Sequence, residues 1–189
     1  MNGFALHLLR HGAPETPGLM LGHSDPASTV SGVKQCVDRS AGIAFSAIIS
    51  SDLRRSATPA QSIALSSGCP VTHDPRWREL DFGEWDGLAA GQLDQQALGR
   101  FWDDPDANPP PGGERWSSLT TRVGAALAEL TPVPTLVVTH GGAMRAALAL
   151  LCGFEQRHIW SIDLPYAALL SLRVWPGETL SAQITGLAT

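Results

Sequence analysis

The chain has 189 residues, of which 43% are hydrophobic and 16% charged, which is typical of one globular domain. Its net charge is −5 and its longest basic run is the pair Arg54–Arg55, so nucleic acid and anionic membranes are disfavoured as partners. The chain has three scattered cysteines (Cys36, Cys69, Cys152), no signal peptide and no long apolar span, and this combination predicts a cytoplasmic protein. The sequence leaves the oligomeric state open.

The first half of the chain predicts strands that alternate with helices, because short apolar runs are separated by longer amphipathic segments. The predicted elements are a strand over 4–9, a loop over 13–28, a helix over 30–42, a strand over 45–50 and a helix from 52 or 53 to 67. Thr29 is the expected N-cap of the first helix. Pro59 falls in the second helix, which we expect it to kink unless it lies in the first turn.

The second half continues the alternation and ends in a hairpin, for which Pro176-Gly177 is a typical turn. The predicted elements are one or two short strands within 71–82, a loop over 83–88, a short helix to about 102, an exposed loop over 103–113, a helix over 114–130, a strand over 135–139, a helix over 143–151 and strands over 159–162, 169–175 and 180–184. This order predicts one α/β domain over 1–189, a three-layer α/β/α sandwich with a mostly parallel central sheet and an antiparallel edge strand.

Two segments share one plan, in which a buried strand ends in a histidine that glycine follows. His11 stands after the first strand and before Gly12, and His140 stands after the strand over 135–139 and before Gly141. Open α/β sheets bind ligands at the carboxyl ends of their strands, and glycine lets backbone approach whatever the imidazole faces. If the two strands are neighbours, the two histidines meet in one pocket.

Arginines stand at the same strand ends. Arg10 precedes His11, and the pair Arg54–Arg55 opens the helix that follows the second strand. Only one of that pair is expected to face the pocket. Arginine offers a planar fork to phosphate oxygens, and a neutral histidine is a nucleophile at pH 7. Because fixed cations stabilise a phosphoryl group in transfer, the sequence predicts a site for a small phosphate ester.

The segment over 78–87 offers acids that can give a proton to the leaving oxygen. They are Glu79, Asp81, Glu84 and Asp86. A zinc site built from His11, His140 and Glu79 is disfavoured, because neither an HxxxH pattern nor a cysteine pair accompanies these residues. The tryptophans are mostly expected in the core, with Trp85 and Trp102 as candidates to line a pocket for an aromatic ring.

At these residues the chain resembles the histidine phosphatase superfamily, which has the phosphoglycerate-mutase-like fold. Four motifs carry the resemblance, in the family's order and over nearly the whole chain. They are Arg10-His11-Gly12, Ser50-Ser51-x-Leu-x-Arg55, Glu79-x-x-x-Gly83 and His140-Gly141. The resemblance selects Arg55 from its pair and Glu79 from the acids, with Asp81 as the second candidate.

The resemblance also implies a role for each residue. His11 is the nucleophile that becomes phosphohistidine, while Arg10, Arg55 and His140, with Gly141, hold the phosphoryl oxygens. Glu79 protonates the leaving group and then activates water. The family needs no metal for this step, and no cofactor is expected.

Further motifs look like those of the α-ribazole phosphatases of cobalamin biosynthesis. They are Gly22-His23-Ser24-Asp25, Thr29-x-x-Gly32-x-x-Gln35, Asp81 to Gly87 and Pro109 to Glu114. Phosphoglycerate mutases usually carry a longer, more basic insertion, whereas the region over 92–115 has only Arg100 and Arg115 as bases. His23 lies in a loop near the pocket, where it is a candidate substrate contact or a surface residue.

Three prolines depart from the family pattern. Pro14 and Pro17 stand where the family often has Thr and Asn as phosphate contacts, and Pro59 stands at a usual Thr. Proline donates no hydrogen bond, so Thr16 or Ser24 is the expected replacement. These departures keep two alternatives open beside an α-ribazole phosphatase. One is a broad-specificity phosphatase or mutase-like enzyme, and the other is a protein that binds a phosphate ester without turnover.

Overall fold

A computed structural model describes residues 3–189 and places helices on both faces of one six-stranded sheet. The strands are β1 (Phe4–Arg10), β2 (Ala47–Ser50), β3 (Val71–His73), β4 (Thr135–Thr139), β5 (Leu169–Trp175) and β6 (Ser181–Ala188). The helices are α1 (Val30–Ser40), α2 (Arg54–Ser67), α3 (Gln95–Asp103), α4 (Trp116–Ala128), α5 (Gly141–Cys152) and α6 (Gln156–Ile159). Short 3₁₀ helices lie at Pro75–Trp77, Gly83–Trp85 and Ala90–Gln92. The predicted α/β architecture is confirmed.

The strand order is β3-β2-β4-β1-β5-β6, so the N-terminal strand lies inside the sheet. The first four strands of that order pair in parallel, and β5 runs antiparallel to β1 and to β6. The C-terminal hairpin therefore forms the predicted antiparallel edge. Arg10 is in register with Thr139, so β1 and β4 end side by side and His11 and His140 emerge as neighbours.

Successive residues of the central strands supply two separate cores, as the period of two in a strand requires. Leu6 and Leu8 of β1 join Val137 of β4 in the core under α4 and α5. Leu9 and Val138 join the core under α1 and α2. All five side chains are fully buried, and each contributes about 1.5–3 kcal/mol of transfer free energy. This double burial fixes the strand ends that carry the histidines.

Two glycines bring α1 against the end of β1. Thr29 caps α1 as predicted, since its hydroxyl accepts the N–H of Gly32 at 3.0 Å. A Cβ on Gly12 would overlap the backbone of Gly32, and a Cβ on Gly32 would lie 2.7 Å from the backbone nitrogen of Ala13. Only glycine fits at either position, because the obstacle in both directions is main chain.

Pro59 lies in the second turn of α2, so the alternative of a first-turn position is wrong. In a regular α-helix the carbonyl of Arg55 would accept the N–H of residue 59, but proline has no N–H, so this hydrogen bond is missing. The buried hydroxyl of Ser28 donates to that carbonyl instead, at 2.8 Å. The backbone of Arg55 thus stays satisfied despite the proline.

One strand prediction is confirmed in its shorter form, and another is wrong. The segment 71–82 holds one of the one or two short strands expected, Val71–His73, because Asp74 then accepts the N–H of Arg76 at 2.9 Å and starts a 3₁₀ turn. The run over 159–162 is not a strand, since Ile159 ends α6 and is fully buried there. A short apolar run fits a strand and a buried helical turn equally well. The other predicted elements are confirmed, with ends shifted by a few residues.

Within residues 3–189 the helices are all too short or too polar to cross a bilayer.

Candidate active site

Two histidines stand next to each other where β1 and β4 end. Their ring centroids are 5.1 Å apart, and the rings are inclined by 60°. His11 is 4% exposed and lines a cavity of about 200 Å³. His140 is fully buried and lies behind His11, outside the cavity lining. The cavity therefore reaches one imidazole of the pair.

Hydrogen bonds give the two imidazoles opposite tautomers. Nδ1 of His11 lies 2.7 Å from the carbonyl oxygen of Gly12, which only accepts, so Nδ1 carries the hydrogen. Nδ1 of His140 accepts from Nε of Arg55 at 3.2 Å, so its hydrogen is on Nε2, 2.9 Å from the Ser51 hydroxyl. Among residues 3–189 nothing binds Nε2 of His11, which keeps its lone pair for a ligand.

Both imidazoles are held in the neutral form. Burial lowers the pKa of His11 well below its ordinary value, and the charges of Arg10 and Arg55 lower it further. The pKa of His140 is also lowered well below its ordinary value, by burial first and then by Arg55. A neutral imidazole with a free Nε2 is a competent nucleophile at pH 7.

These lowered pKa values predict a loss of stability in mild acid. Below about pH 6.5 the unfolded chain takes up a proton on each imidazole, whereas the folded protein does not. The free energy of unfolding is therefore expected to fall with pH, by about 1.4 kcal/mol per pH unit for each of His11 and His140, until the folded protein is protonated too. The pKa of His7 is lowered by burial as well and acts in the same direction. Urea unfolding at a series of pH values between 7.5 and 5 measures the slope.

A matched pair of variants assigns that slope. His11→Asn should remove one histidine's share of it, and His158→Gln, at an exposed position, should leave it unchanged. If His11→Asn unfolds with the wild-type slope, His11 is not held neutral in the folded state.

Arg10 lies in the cavity wall beside His11. Its guanidinium stacks on Tyr166, with Cζ 4.4 Å from the ring centroid, and its Nη1 donates to the carbonyl of Leu164 at 2.6 Å. Its Nε is buried and has no hydrogen-bond partner within residues 3–189. The Tyr166 ring centroid is also 5.5 Å from that of His11. Arg10 thus brings positive charge and an unpaired donor to the cavity.

Arg55 is fully buried, whereas Arg54 is exposed. The guanidinium of Arg55 binds three carbonyl oxygens of the loop over 21–24, at distances from 2.6 to 3.0 Å. Asp86 holds the same loop from the other side by accepting three of its N–H groups. Arg55 lies outside the cavity lining, and its charge reaches the histidines through the buried interior.

Glu79 places a carboxylate in the cavity at the N-terminus of α5. Its side chain is only 9% exposed, and Oε1 accepts the N–H of Gly142 at 2.9 Å and of Leu80 at 3.0 Å. A Cβ on Gly142 would overlap that oxygen, so the carboxylate reaches the helix end only because glycine stands there. Gly141 lines the same cavity. Glu79 is held rigidly, facing the space beside His11.

The other acids of the segment lie outside the cavity lining. Asp81 accepts the N–H of Gly83 at 2.9 Å and shapes that turn. Glu84 is exposed, and Asp86 is occupied by the loop over 21–24. Of these four carboxylates, Glu79 alone is positioned to meet a ligand in the cavity.

The backbone that carries Glu79 is held by Arg122 of α4. Its Nη2 donates to the carbonyl of Glu79 at 2.8 Å. Its Nη1 donates to the carbonyls of Arg76 and Arg78 at 2.7 and 2.8 Å. Nε2 of His23 lies 3.2 Å from the same Glu79 carbonyl. His23 therefore contacts the acid's backbone and lies outside the cavity lining, in contrast to the expected substrate contact.

The loop over 13–28 brings few side chains to the cavity. Pro14 is buried and pairs with Ser28, while Thr16, Pro17 and Ser24 are exposed. None of these five residues lines the cavity. The side chains of the expected replacement contacts, Thr16 and Ser24, thus do not reach the cavity.

Among the cavity residues that the sequence analysis does not assign to the site are Arg145, Trp160 and Tyr166. Arg145 had a usable signal, because it is the one charged residue in the apolar sequence of α5. Trp160 and Tyr166 lie in an irregular segment that has no motif. Of the two tryptophans expected at a pocket, Trp102 lines the cavity, whereas Trp85 is buried in the core.

Within residues 3–189, no group of three or more His, Cys, Asp or Glu side chains is arranged to hold a metal ion.

Comparison with known proteins identifies the family. The family model described as "Histidine phosphatase superfamily (branch 1)" matches residues 6–184. The chain belongs to this superfamily. It is 33% identical over 160 residues to a probable phosphoglycerate mutase GpmB of Salmonella choleraesuis (strain SC-B67), covering 78% of this chain and 74% of the relative.

Solved structures of this superfamily are similar over almost the whole chain. A mycobacterial glucosyl-3-phosphoglycerate phosphatase in complex with inorganic phosphate has a TM-score of 0.85 and 26% identity, covering 97% of this chain and 96% of that one. The α-ribazole phosphatase of Shigella flexneri has a TM-score of 0.82 and 22% identity, covering 96% and 95%. At that identity the α-ribazole phosphatase shows the shared fold alone. The histidine phosphatase chain described here thus has both mutase and phosphatase relatives.

Proposed function

We propose that this histidine phosphatase is a metal-independent phosphomonoesterase that works through a phosphohistidine on His11. The observation that carries the proposal is the bond from Nδ1 of His11 to the Gly12 carbonyl, which leaves Nε2 unprotonated at the cavity. The lowered pKa of His11 keeps it so at neutral pH. Arg10 and Arg55 supply the positive charge that a metal ion would otherwise give to the phosphoryl oxygens.

The proposed reaction has two steps. In the first, Nε2 of His11 forms a bond to phosphorus, the ester P–O bond breaks, and Glu79 gives its proton to the leaving oxygen. In the second, Glu79 takes a proton from water, the water oxygen bonds to phosphorus, and the P–N bond returns its electron pair to His11. Arg10, which lines the cavity together with His11, is proposed to bind phosphoryl oxygens directly. Arg55 and His140 are proposed to stabilise the same charge from behind His11.

The substrate that we propose is α-ribazole 5′-phosphate, a phosphate ester with an aromatic group, which would place the enzyme in cobalamin biosynthesis. The apolar wall of the cavity supports an aromatic leaving group. It includes Met20, Phe82, Phe101, Trp102 and Trp160. The region over 92–115 supports a phosphatase, because Arg100 and Arg115 are both exposed and outside the cavity lining.

A phosphoglycerate mutase-like or broad-specificity activity is the second candidate. The similarity to a probable phosphoglycerate mutase favours it, since that relative covers most of the chain. A protein that binds a phosphate ester without turnover is the third. The combination of His11, Arg10 and Glu79 in the lining of one cavity supports turnover and argues against the third candidate.

A screen of phosphate esters, with release of inorganic phosphate as readout, tests the proposal. We expect α-ribazole 5′-phosphate to be hydrolysed faster than 3-phosphoglycerate and simple sugar phosphates. Activity should survive exhaustive chelation, and vanadate should inhibit because it mimics a five-coordinate phosphoryl group. Loss of activity on chelation that Mg²⁺ or Zn²⁺ restores would overturn the metal-free mechanism. Interconversion of phosphoglycerates without net phosphate release would favour the mutase.

A further inference from the structure

The cavity contains a second arginine that the proposed reaction does not use. Arg145 lies in α5 and lines the cavity together with Arg10. The two guanidinium groups flank Gly141, since a Cβ there would lie 3.1 Å from Nη1 of Arg145 and 3.6 Å from Cζ of Arg10. Burial lowers the pKa of Arg145, the Glu79 carboxylate opposes that shift, and Arg10 adds to it. Arg145 is therefore a partly desolvated cation beside another cation.

The protein satisfies Arg145 poorly. Its Nη1 and Nη2 donate to the carbonyls of Gly141 and Ile162 at 3.3 Å each, which is long for such bonds. Its Nε is buried without a partner, and Arg145 forms no ion pair within residues 3–189. Leaving a buried donor without an acceptor is unfavourable, so a ligand that brings an acceptor gains binding free energy here.

An aromatic surface adjoins this arginine. Cζ of Arg145 lies 4.8 Å from the ring centroid of Trp160, and Trp160 meets Trp102 edge-on at 5.0 Å. Both tryptophans line the cavity. The Arg10–Tyr166 stack is next to His11, and the Arg145–Trp160 stack lines the same cavity. The Glu79 carboxylate, which is the proposed proton donor to the leaving oxygen, is the charge that acts most strongly on Arg145, and this favours the leaving group's side of the cavity for Arg145.

We infer that Arg145 and Trp160 form a leaving-group subsite for a planar group that carries a hydrogen-bond acceptor, with an anionic acceptor bound most tightly. The inference rests on the proposed phosphatase activity and specifies its substrate class. The planar group packs against Trp160 and Trp102, and the acceptor binds the guanidinium of Arg145. Such a contact discriminates between substrates, because a leaving group without the acceptor leaves the arginine unpaired.

Two esters that differ only in the acceptor test the subsite. Phenyl phosphate lacks it, and meta-carboxyphenyl phosphate carries a carboxylate on the same ring. We expect the wild type to prefer the carboxylated ester in kcat/KM. Arg145→Gln should lower that preference about 10- to 100-fold, the usual effect of losing a hydrogen bond to a charged group. Arg157→Gln, at an exposed arginine outside the cavity, is the matched control and should keep the wild-type preference.

A binding measurement separates the subsite from the catalytic proposal. By calorimetry, the wild type should bind meta-hydroxybenzoate more tightly than phenol, and Arg145→Gln should lose this difference while melting as a folded protein. If neither ester is turned over but the wild type still shows this binding difference, the proposed function is refuted and the subsite is kept. If Arg145→Gln keeps the wild-type ratio of the two kcat/KM values, the subsite is refuted. If both values have in addition fallen equally, Arg145 acts on the phosphoryl group instead.

Discussion

Replacing His11 by alanine is expected to abolish both turnover and the transfer of phosphate onto the protein. Nε2 of His11 is the unoccupied ring nitrogen at the cavity, and the second imidazole has both nitrogens bound to protein groups. Rapid quenching after mixing with a radiolabelled ester measures the phosphoenzyme, which should be stable in base and labile in acid. The wild type should accumulate it, and His11→Ala should show none.

His158→Gln serves as the control for that experiment, since it removes an exposed imidazole that does not line the cavity. It should keep wild-type turnover and labelling. An acid-labile phosphoenzyme in His11→Ala would move the nucleophile to another residue. His140 would then be the first to test, because its ring lies 5.1 Å from that of His11.

Glu79→Gln is expected to lower the rate about 10²- to 10⁴-fold on an alkyl phosphate, the usual range for a positioned acid. The same variant should lose far less with p-nitrophenyl phosphate, because p-nitrophenolate leaves without a proton. Glutamine keeps an oxygen that accepts the Gly142 N–H, so the variant should retain the local structure. Comparing kcat/KM on the two esters for wild type and variant measures the selective loss, because kcat/KM reports phosphoryl transfer to His11 and not the later hydrolysis step that both esters share.

Asp81→Asn is the matched variant for this test, since Asp81 lies two residues away and outside the cavity lining. Its effect should be similar on both esters. A selective loss on the alkyl ester at Asp81, together with equal losses at Glu79, would transfer the acid role to Asp81.

The strand ends of the site follow from local sequence. The histidines come directly after apolar runs, and burial of those runs in the two cores leaves their carboxyl ends at one edge. Chain order and the resemblance to a family then select Glu79, whose carboxylate the structure brings to the cavity. Such features depend on the sequence within a few residues of each motif.

What the sequence does not reveal depends on partners far along the chain. The tautomer of His140 is set by Arg55, 85 residues away, and the Glu79 backbone is held by Arg122, 43 residues away. No local pattern encodes these contacts, so Arg122 escapes notice. The segment around Ile159 is mispredicted for a similar reason, because its helical turn is stabilised by burial in a distant core.

The contact between Gly12 and Gly32 limits how the region beside the nucleophile can change by mutation. A clash between two side chains is relieved when a second mutation shortens one of them. Here each added Cβ meets main chain, and the partner residue is already the smallest amino acid. No single compensating substitution at the partner position therefore exists, and relief would require α1 to shift as a body. In a library that randomises the neighbourhood of His11, these two positions should return glycine alone, whatever residues accompany them.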